Sequence, residues 1–253
     1  MAGDLDGKVV LVTGASRGIG AAIAREMSAQ GAMVTLAYHA QEKAAQKVAA
    51  ECNSGQVATV QMDVTSRSDV EKAFESVLEK WGRLDVLVNN AGFLKQTPFE
   101  DIDDDEWHKT IDTNLQGVFL CSQVGGAILQ GQAMGGAIVN ITSVGGQMGG
   151  TKAAHYAAAK AAVISMTKST AKLFAPDNVR VNAIAPGFIK TDMYEHIVAN
   201  ADVNEILASI PLARVGLPED VANAAVFLAS EKASYITGHI LNVNGGLYIA
   251  AGS

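Results

Sequence analysis

Cysteine, proline, aromatic side chains and charge are all sparse in this sequence. Its two cysteines, Cys52 and Cys121, lie far apart and form no Cys-x-x-Cys pattern. That spacing excludes a disulfide framework or a zinc site and leaves two reduced thiols. Charged residues make up 18%, and 26 acids against 19 bases give a net charge of −7. Such a balance argues against nucleic acid or an anionic membrane as the main partner. No run of about 18 unbroken apolar residues is present to span a bilayer. The opening Met1-Ala2-Gly3-Asp4-Leu5-Asp6-Gly7 lacks the basic start and apolar block of a signal peptide, so a cytoplasmic location is expected. There is no internal repeat, low-complexity tract or linker. What is abundant is apolar material (49%) and glycine (25 residues), enough to exclude disorder and to build a core. The chain therefore reads as a single α/β domain over residues 1–253.

Short β-branched runs alternate with longer amphipathic stretches, the pattern of βαβ units around a parallel sheet. Strands are expected at Lys8–Thr13, Met33–Tyr38, Val57–Met62, Asp85–Asn89, Ala137–Ile141, Arg180–Ala185 and His239–Val243. Helices are expected at Gly18–Gln30, Glu42–Cys52, Ser68–Lys80, Asp104–Gln130, Ala153–Phe174 and Pro218–Ala229. Gly31 is suited to end the first helix, since glycine tolerates the left-handed turn there. The acidic run Asp103-Asp104-Asp105-Glu106 reads as a helix start that complements the helix dipole, and no metal site is expected. Residues 188–212 follow a strand without clear periodicity and read as a substrate lid.

The first strand runs into Thr13-Gly14-Ala15-Ser16-Arg17-Gly18-Ile19-Gly20 and then a helix. Glycines here would let the backbone approach a pyrophosphate at a helix N-terminus; a purely structural turn is the alternative. Asp63-Val64 and Asn89-Asn90-Ala91-Gly92 follow later strands, at the sheet edge where open α/β sheets bind ligands. Asp63 could accept from an adenine amino group, or simply form an Asx-turn. The second strand ends in Ala37-Tyr38-His39, with Tyr38 where a ribose-binding acid would stand. With Arg17 and His39 as flanking cations, this arrangement favours NADP(H), unless both are ordinary solvated side chains.

Tyr156 and Lys160 are four apart and share a helix face. An ammonium beside a phenol is expected to lower its pKa and suit it to proton exchange with a carbonyl oxygen. Ser143, at a strand end, can hold that oxygen. Asn114 stands amid apolar neighbours, where it could bend its helix and bind a water connecting Lys160 to solvent, or be a locally satisfied core residue.

In order and spacing, Thr13-Gly14-x-x-x-Gly18-x-Gly20, Asn89-Asn90-Ala91-Gly92, Asn114, Ser143, Tyr156-x-x-x-Lys160 and Pro186-Gly187 resemble the short-chain dehydrogenase/reductase family over nearly the whole chain. The resemblance implies a Rossmann-like, doubly wound sheet of about seven strands and a nicotinamide dinucleotide. It makes Tyr156 the acid/base, Lys160 its electrostatic partner and a ribose ligand, Ser143 the carbonyl donor, and Asn114 the anchor of a relay water. Pro186, Gly187, Ile189 and Thr191 would border the nicotinamide.

Ala185-Pro186-Gly187-Phe188-Ile189-Lys190-Thr191-Asp192-Met193 and Tyr235 through Gly246 most resemble the family's bacterial 3-oxoacyl-[acyl-carrier-protein] reductases. A ketone or acyl thioester is thus the expected substrate, with acyl carrier protein as a candidate partner. Sugar, polyol or other secondary-alcohol dehydrogenases are the closest alternative class; a non-catalytic NADP-binding protein is the remote one. Residues 130–136 carry no base to meet an acidic carrier, which leaves local patches such as Lys168, Lys172 and Arg180. Small residues at Gly117, Gly125, Gly126, Ala153, Ala157, Ala161 and Ala162 would allow close helix packing, and the resemblance makes their helices the contacts of a homotetramer.

Overall fold

Strands without a polar face need cover on both sides. The computed structural model, which describes residues 3–53, 56–198 and 202–249, provides it around one seven-stranded parallel sheet. In chain order the first half comprises β1 (Val9–Val12), α1 (Gly18–Ala29), β2 (Met33–Tyr38), α2 (Glu42–Ala50), β3 (Val57–Gln61), α3 (Arg67–Trp81) and β4 (Val86–Asn89). Next come α4 (Asp104–Ile111), α5 (Gly117–Gln130), β5 (Gly136–Ile141), α6 (Gly145–Met148) and α7 (Ala154–Phe174). The last part holds β6 (Val179–Pro186), α8 (Asp192–Val198), α9 (Val203–Ala208), α10 (Pro218–Ala229) and β7 (Ile240–Val243).

The strand order is β3-β2-β1-β4-β5-β6-β7, so the chain reverses its direction of winding between β1 and β4. Val10 pairs with Val34 on one side and Val86 on the other. A crevice opens at such a reversal, beyond the carboxyl ends of the strands. One core cluster joins the sheet to α1, α2 and α10 through Ile23, Met27, Val48 and Val221; the other joins it to α3, α5 and α7 through Phe74, Leu129 and Ala171. All seven expected strands are present, with no end shifted by more than one residue. Gly31 follows α1 with φ +92°, and Asp103 caps α4 by accepting from the Glu106 amide at 2.8 Å. No described helix is long and apolar enough to cross a membrane.

Four expectations need correction. The helix expected over Asp104–Gln130 is broken by a π-helical turn at Asp112–Gln116. Asn114 explains the break: its amide donates to the Thr110 carbonyl at 2.9 Å and to the Phe93 carbonyl at 2.7 Å, competing with the helix ladder. The lid region contains two short helices, α8 and α9, each too brief to show a period in sequence; residues 199–201 lie outside the described part. The small residues do not all line an outer surface. A Cβ on Gly125 would sit 2.8 Å from the Phe74 ring, and one on Gly126 2.7 Å from Phe174, so both glycines serve packing within the chain. Arg180 is no docking cation either, because its guanidinium donates to the carbonyls of Leu228, Ala229 and Ser230 at the end of α10 and of Ile236 beyond it.

Candidate active site

At the β1–α1 turn, Gly14 and Gly18 adopt φ +63° and +56°, a region that disfavours side chains. A Cβ on Gly14 would lie 2.8 Å from Ala91 Cα, and one on Gly20 only 2.4 Å from Asn90 Nδ2. The turn therefore presses against the loop after β4. Thr13 stitches the two together: its hydroxyl accepts from the Asn90 and Ala91 amides, each at 2.9 Å. The Asn90 side chain returns donors to the Thr13 carbonyl at 2.9 Å and the Gly14 carbonyl at 3.1 Å. At the N-terminus of α1, Arg17 makes no side-chain cap and no acid occupies the first turn. Uncapped N–H groups and the positive end of the helix dipole thus meet at the crevice, which fits a pyrophosphate.

From this turn a cleft of about 1180 Å³ runs along the carboxyl edge of the sheet. Gly14, Ser16, Arg17, Gly18, Ile19, Gly20, His39, Asp63, Val64, Asn90, Ala91 and Gly92 line its first part. Ser143, Tyr156, Lys160, Pro186, Gly187, Ile189 and Thr191 line the rest, so the structure brings nearly every expected residue into one groove. Asp63 does form the Asx-turn: Oδ1 accepts from the Thr65 amide at 2.9 Å and the Thr65 hydroxyl at 2.8 Å, while Oδ2 lies 3.5 Å from His39 Nε2. Bonding from Thr65 and the nearby His39 together outweigh burial and hold the Asp63 carboxyl below its ordinary range. Arg17 reaches across to Asp192 at the start of α8, at 3.5 Å.

At the other end, Lys160 is almost wholly buried and donates to the Ile141 carbonyl at 2.9 Å; its ammonium lies 5.6 Å from the Tyr156 ring centroid. Burial lowers the Lys160 pKa to about 8. The expected lowering of the Tyr156 phenol is not what this geometry gives. Burial pushes it up to about 12, against the opposite pull of the Ser143 hydroxyl beside it. The reason is physical: a desolvated phenolate costs more than a lysine bonded to a main-chain carbonyl offsets. Tyr156 is thus held in its O–H form near neutral pH, as a proton donor should be. Ser143 Oγ accepts from the Gly145 amide at 3.0 Å, so its one hydrogen is left to donate on the Tyr156 side, where a substrate oxygen would lie.

Two expected residues do not reach the groove. Tyr38 is buried in β2, and the first residue beyond it that faces the cleft is His39. Asn114 is fully buried, both amide donors are engaged, and its Oδ1 accepts from the Phe93 amide at 3.2 Å. It still borders the site, because a Cβ on Gly92 would lie 3.0 Å from Asn114 Oδ1 and 3.7 Å from Lys160 Nζ. Sequence reasoning missed the wall formed by Phe93, Leu94, Lys95 and Gln96 after β4; Phe188, Met193 and Tyr194, which also line the groove, fall within the segment expected as a lid. It also passed over Thr13, whose β1-end hydroxyl was the available signal. Among the described residues, no group of three or more His, Cys, Asp or Glu is placed to hold a metal.

Comparison with known proteins agrees with this geometry. The family model described as Enoyl-(Acyl carrier protein) reductase matches residues 14–248. A 3-oxoacyl-[acyl-carrier-protein] reductase of Synechocystis is 46% identical over 246 residues, covering 96% of this chain and 98% of that protein. Proteins of the same name from Staphylococcus aureus and Thermotoga maritima are each 42% identical, covering 96% and 97% of this chain and 98% and 99% of their own lengths. A crystal structure assigned to the short-chain alcohol dehydrogenases, from Sinorhizobium meliloti, superposes with a TM-score of 0.91 at 37% identity, covering 96% of this chain and 97% of that one. A seven-stranded sheet with this crevice and these matches has one reading: the chain belongs to the short-chain dehydrogenase/reductase family, oxidoreductases that act on hydroxyl or keto groups with a nicotinamide cofactor.

Proposed function

We propose that the protein reduces the keto group of a 3-oxoacyl thioester with NADPH. The observation that carries the reading is the Ser143–Tyr156–Lys160 group at one end of a groove whose other end is the uncapped start of α1. The glycine turn, Asn90, Lys160 and the Pro186–Thr191 segment would hold the dinucleotide, which supplies a hydride to the carbonyl carbon when bound. The chain's own groups manage the oxygen. Ser143 donates a hydrogen bond to it, and the Tyr156 O–H gives it a proton as charge develops. Lys160, charged below about pH 8, favours the phenolate left behind. Arg17 and His39 would contact a 2′-phosphate, since a carboxylate that would repel it is absent from the end of β2.

The substrate assignment draws on the names of the relatives and on the groove's far walls, where Phe93, Leu94, Phe188 and Met193 suit an acyl chain better than a sugar. Acyl carrier protein is the corresponding macromolecular partner, with the exposed Lys168 and Lys172 as its docking cations. A homotetramer in the cytoplasm completes the proposal. Exposed Trp107, Phe119 and Leu173 on α4, α5 and α7 supply apolar surface for subunit contacts. The test is a panel with purified protein, following NADPH absorbance with acetoacetyl-CoA, crotonoyl-CoA, diketones and sugars. Acetoacetyl-CoA should be the best substrate; faster turnover of crotonoyl-CoA or a sugar would overturn the assignment.

A further inference from the structure

A buried polar knot lies behind the proton donor and is not explained by the mechanism. Glu106, in the first turn of α4, turns its carboxylate inward, where its side chain is 7% exposed. There it pairs with Lys95 and accepts from the Thr97 hydroxyl at 2.5 Å. Both partners belong to the loop after β4 that walls the cleft, and Lys95 itself lines the groove. His155 approaches from the opposite side, 0% exposed, with Nε2 3.1 Å from Glu106 Oε1. Neither ring nitrogen makes a directed hydrogen bond among the described residues. The Thr97 amide adds a second tie by donating to the Lys152 carbonyl, just ahead of α7, at 2.9 Å.

We infer that Glu106 and His155 are positioning residues for Tyr156, coupling the substrate-side loop to the first turn of the helix that carries the proton donor. Three arguments support this. His155 immediately precedes Tyr156, so any rotation of that helical turn moves the imidazole against Glu106 and the phenol across the cleft together. A buried imidazole set against a buried carboxylate is a poor device for stability, because apolar side chains of similar volume pack there at least as well. Buried polar groups without a directed partner are few in folded proteins, and a functional role is one of the explanations for them. The carboxylate touches all three parts: the cleft wall through Lys95 and Thr97, the start of α4 that carries it, and α7 through His155. A substrate that presses on the wall near Lys95 would therefore be felt at the phenol. The inference rests on the reading of Tyr156 as proton donor.

The discriminating variant is His155→Phe, which fills the space and removes every polar atom. A structural role would survive this change, whereas a positioning role would not. With acetoacetyl-CoA and NADPH, kcat should fall at least tenfold while NADPH Kd stays within about twofold of wild type and Tm at or above it. The solvent deuterium isotope effect on kcat should rise, because proton transfer becomes slower relative to other steps. His155→Gln, which can again reach Glu106, should recover at least threefold over His155→Phe. A folded His155→Phe with kcat within twofold of wild type and an unchanged isotope effect would overturn the inference. If that variant does not fold, Glu106→Gln is judged by the same criteria; failure of both to fold would make the knot a folding element and also overturn it. Tyr156→Phe run in parallel separates the two levels. If it is active, the proton-donor reading fails; if it is inactive beside a fully active His155→Phe, only the coupling fails.

Discussion

The two ends of the cleft are built by different means. The glycine-turn end is set mainly by backbone geometry: positive φ at Gly14 and Gly18, close contact across Gly20, and main-chain groups tied by the Thr13 hydroxyl and the Asn90 amide. The substrate end is a side-chain construction, with the loop Phe93–Gln96 on one wall and Phe188, Met193 and Tyr194 on the other. The first leaves no room for variation and recognises a feature common to dinucleotides. The second rests on side chains, and it is the end proposed to hold the substrate.

The contrast is most exposed to a single methyl group. Gly20→Ala places a Cβ 2.4 Å from Asn90 Nδ2 and 2.5 Å from the Gly14 carbonyl, so the turn must open. NADPH affinity is expected to fall at least about a hundredfold, roughly 2.7 kcal/mol, by fluorescence titration. Met193→Ala, on the other wall, should raise the ketone KM by several-fold and leave NADPH Kd within twofold. Comparable losses of NADPH affinity in the two variants would erase the distinction.

Cofactor preference tests the boundary of the backbone construction, where side chains take over. NADPH should exceed NADH in kcat/KM by at least about tenfold, or roughly 1.4 kcal/mol. Arg17→Ala should remove much of that gap. Because Tyr38 is buried, the acid that inverts the preference belongs at the cleft-facing position, so His39→Asp should favour NADH. Equal efficiency with both cofactors in the wild type would contradict the assignment of Arg17 and His39.

The pH dependence separates the two titrating groups at the substrate end. With Tyr156 near 12 and Lys160 near 8, the alkaline limb belongs to the lysine. Lys160 is charged below its pKa and neutral above it, so kcat for reduction should fall as pH rises through about 8. Lys160→Arg should retain its charge and carry the limb to higher pH in whatever activity remains. A limb that stays near 8 in that variant would reassign it. The smallest effect is expected where the two ends meet. Asp192→Asn frees Arg17 from an exposed ion pair worth less than about 1 kcal/mol, and should tighten NADPH two- to threefold. Weaker NADPH binding in that variant would show that Asp192 helps the site.

The same division governs what the sequence could reveal. Glycine at 14, 18 and 20 and Tyr156 with Lys160 answer to strict backbone or helix geometry, so their spacing alone points to their meeting. The central strands are equally legible: β1 is apolar and buried on both faces, and β4 is buried throughout with Asn89 as its one polar residue. Other features depend on distant partners. The π-turn at Asn114 needs the Phe93 carbonyl, and the Glu106–His155 contact joins residues from α4 and α7. Arg180 reads as a surface cation until the end of α10 supplies the carbonyls that bind it. The upward shift of Tyr156 is likewise a property of burial, which periodicity places but does not quantify. The inward-facing glycines of α5 show the limit from the other side: their small size was evident in the sequence, but the Phe74 and Phe174 rings that need it were not.

The central claim is that Tyr156 protonates the substrate oxygen at a site whose cofactor end is independent of it. The direct measurement is Tyr156→Phe beside the wild type, with kcat for acetoacetyl-CoA and NADPH Kd determined on the same preparations. Turnover should fall at least a hundredfold with NADPH Kd within about twofold of wild type. A variant that retains a tenth or more of wild-type kcat would contradict it.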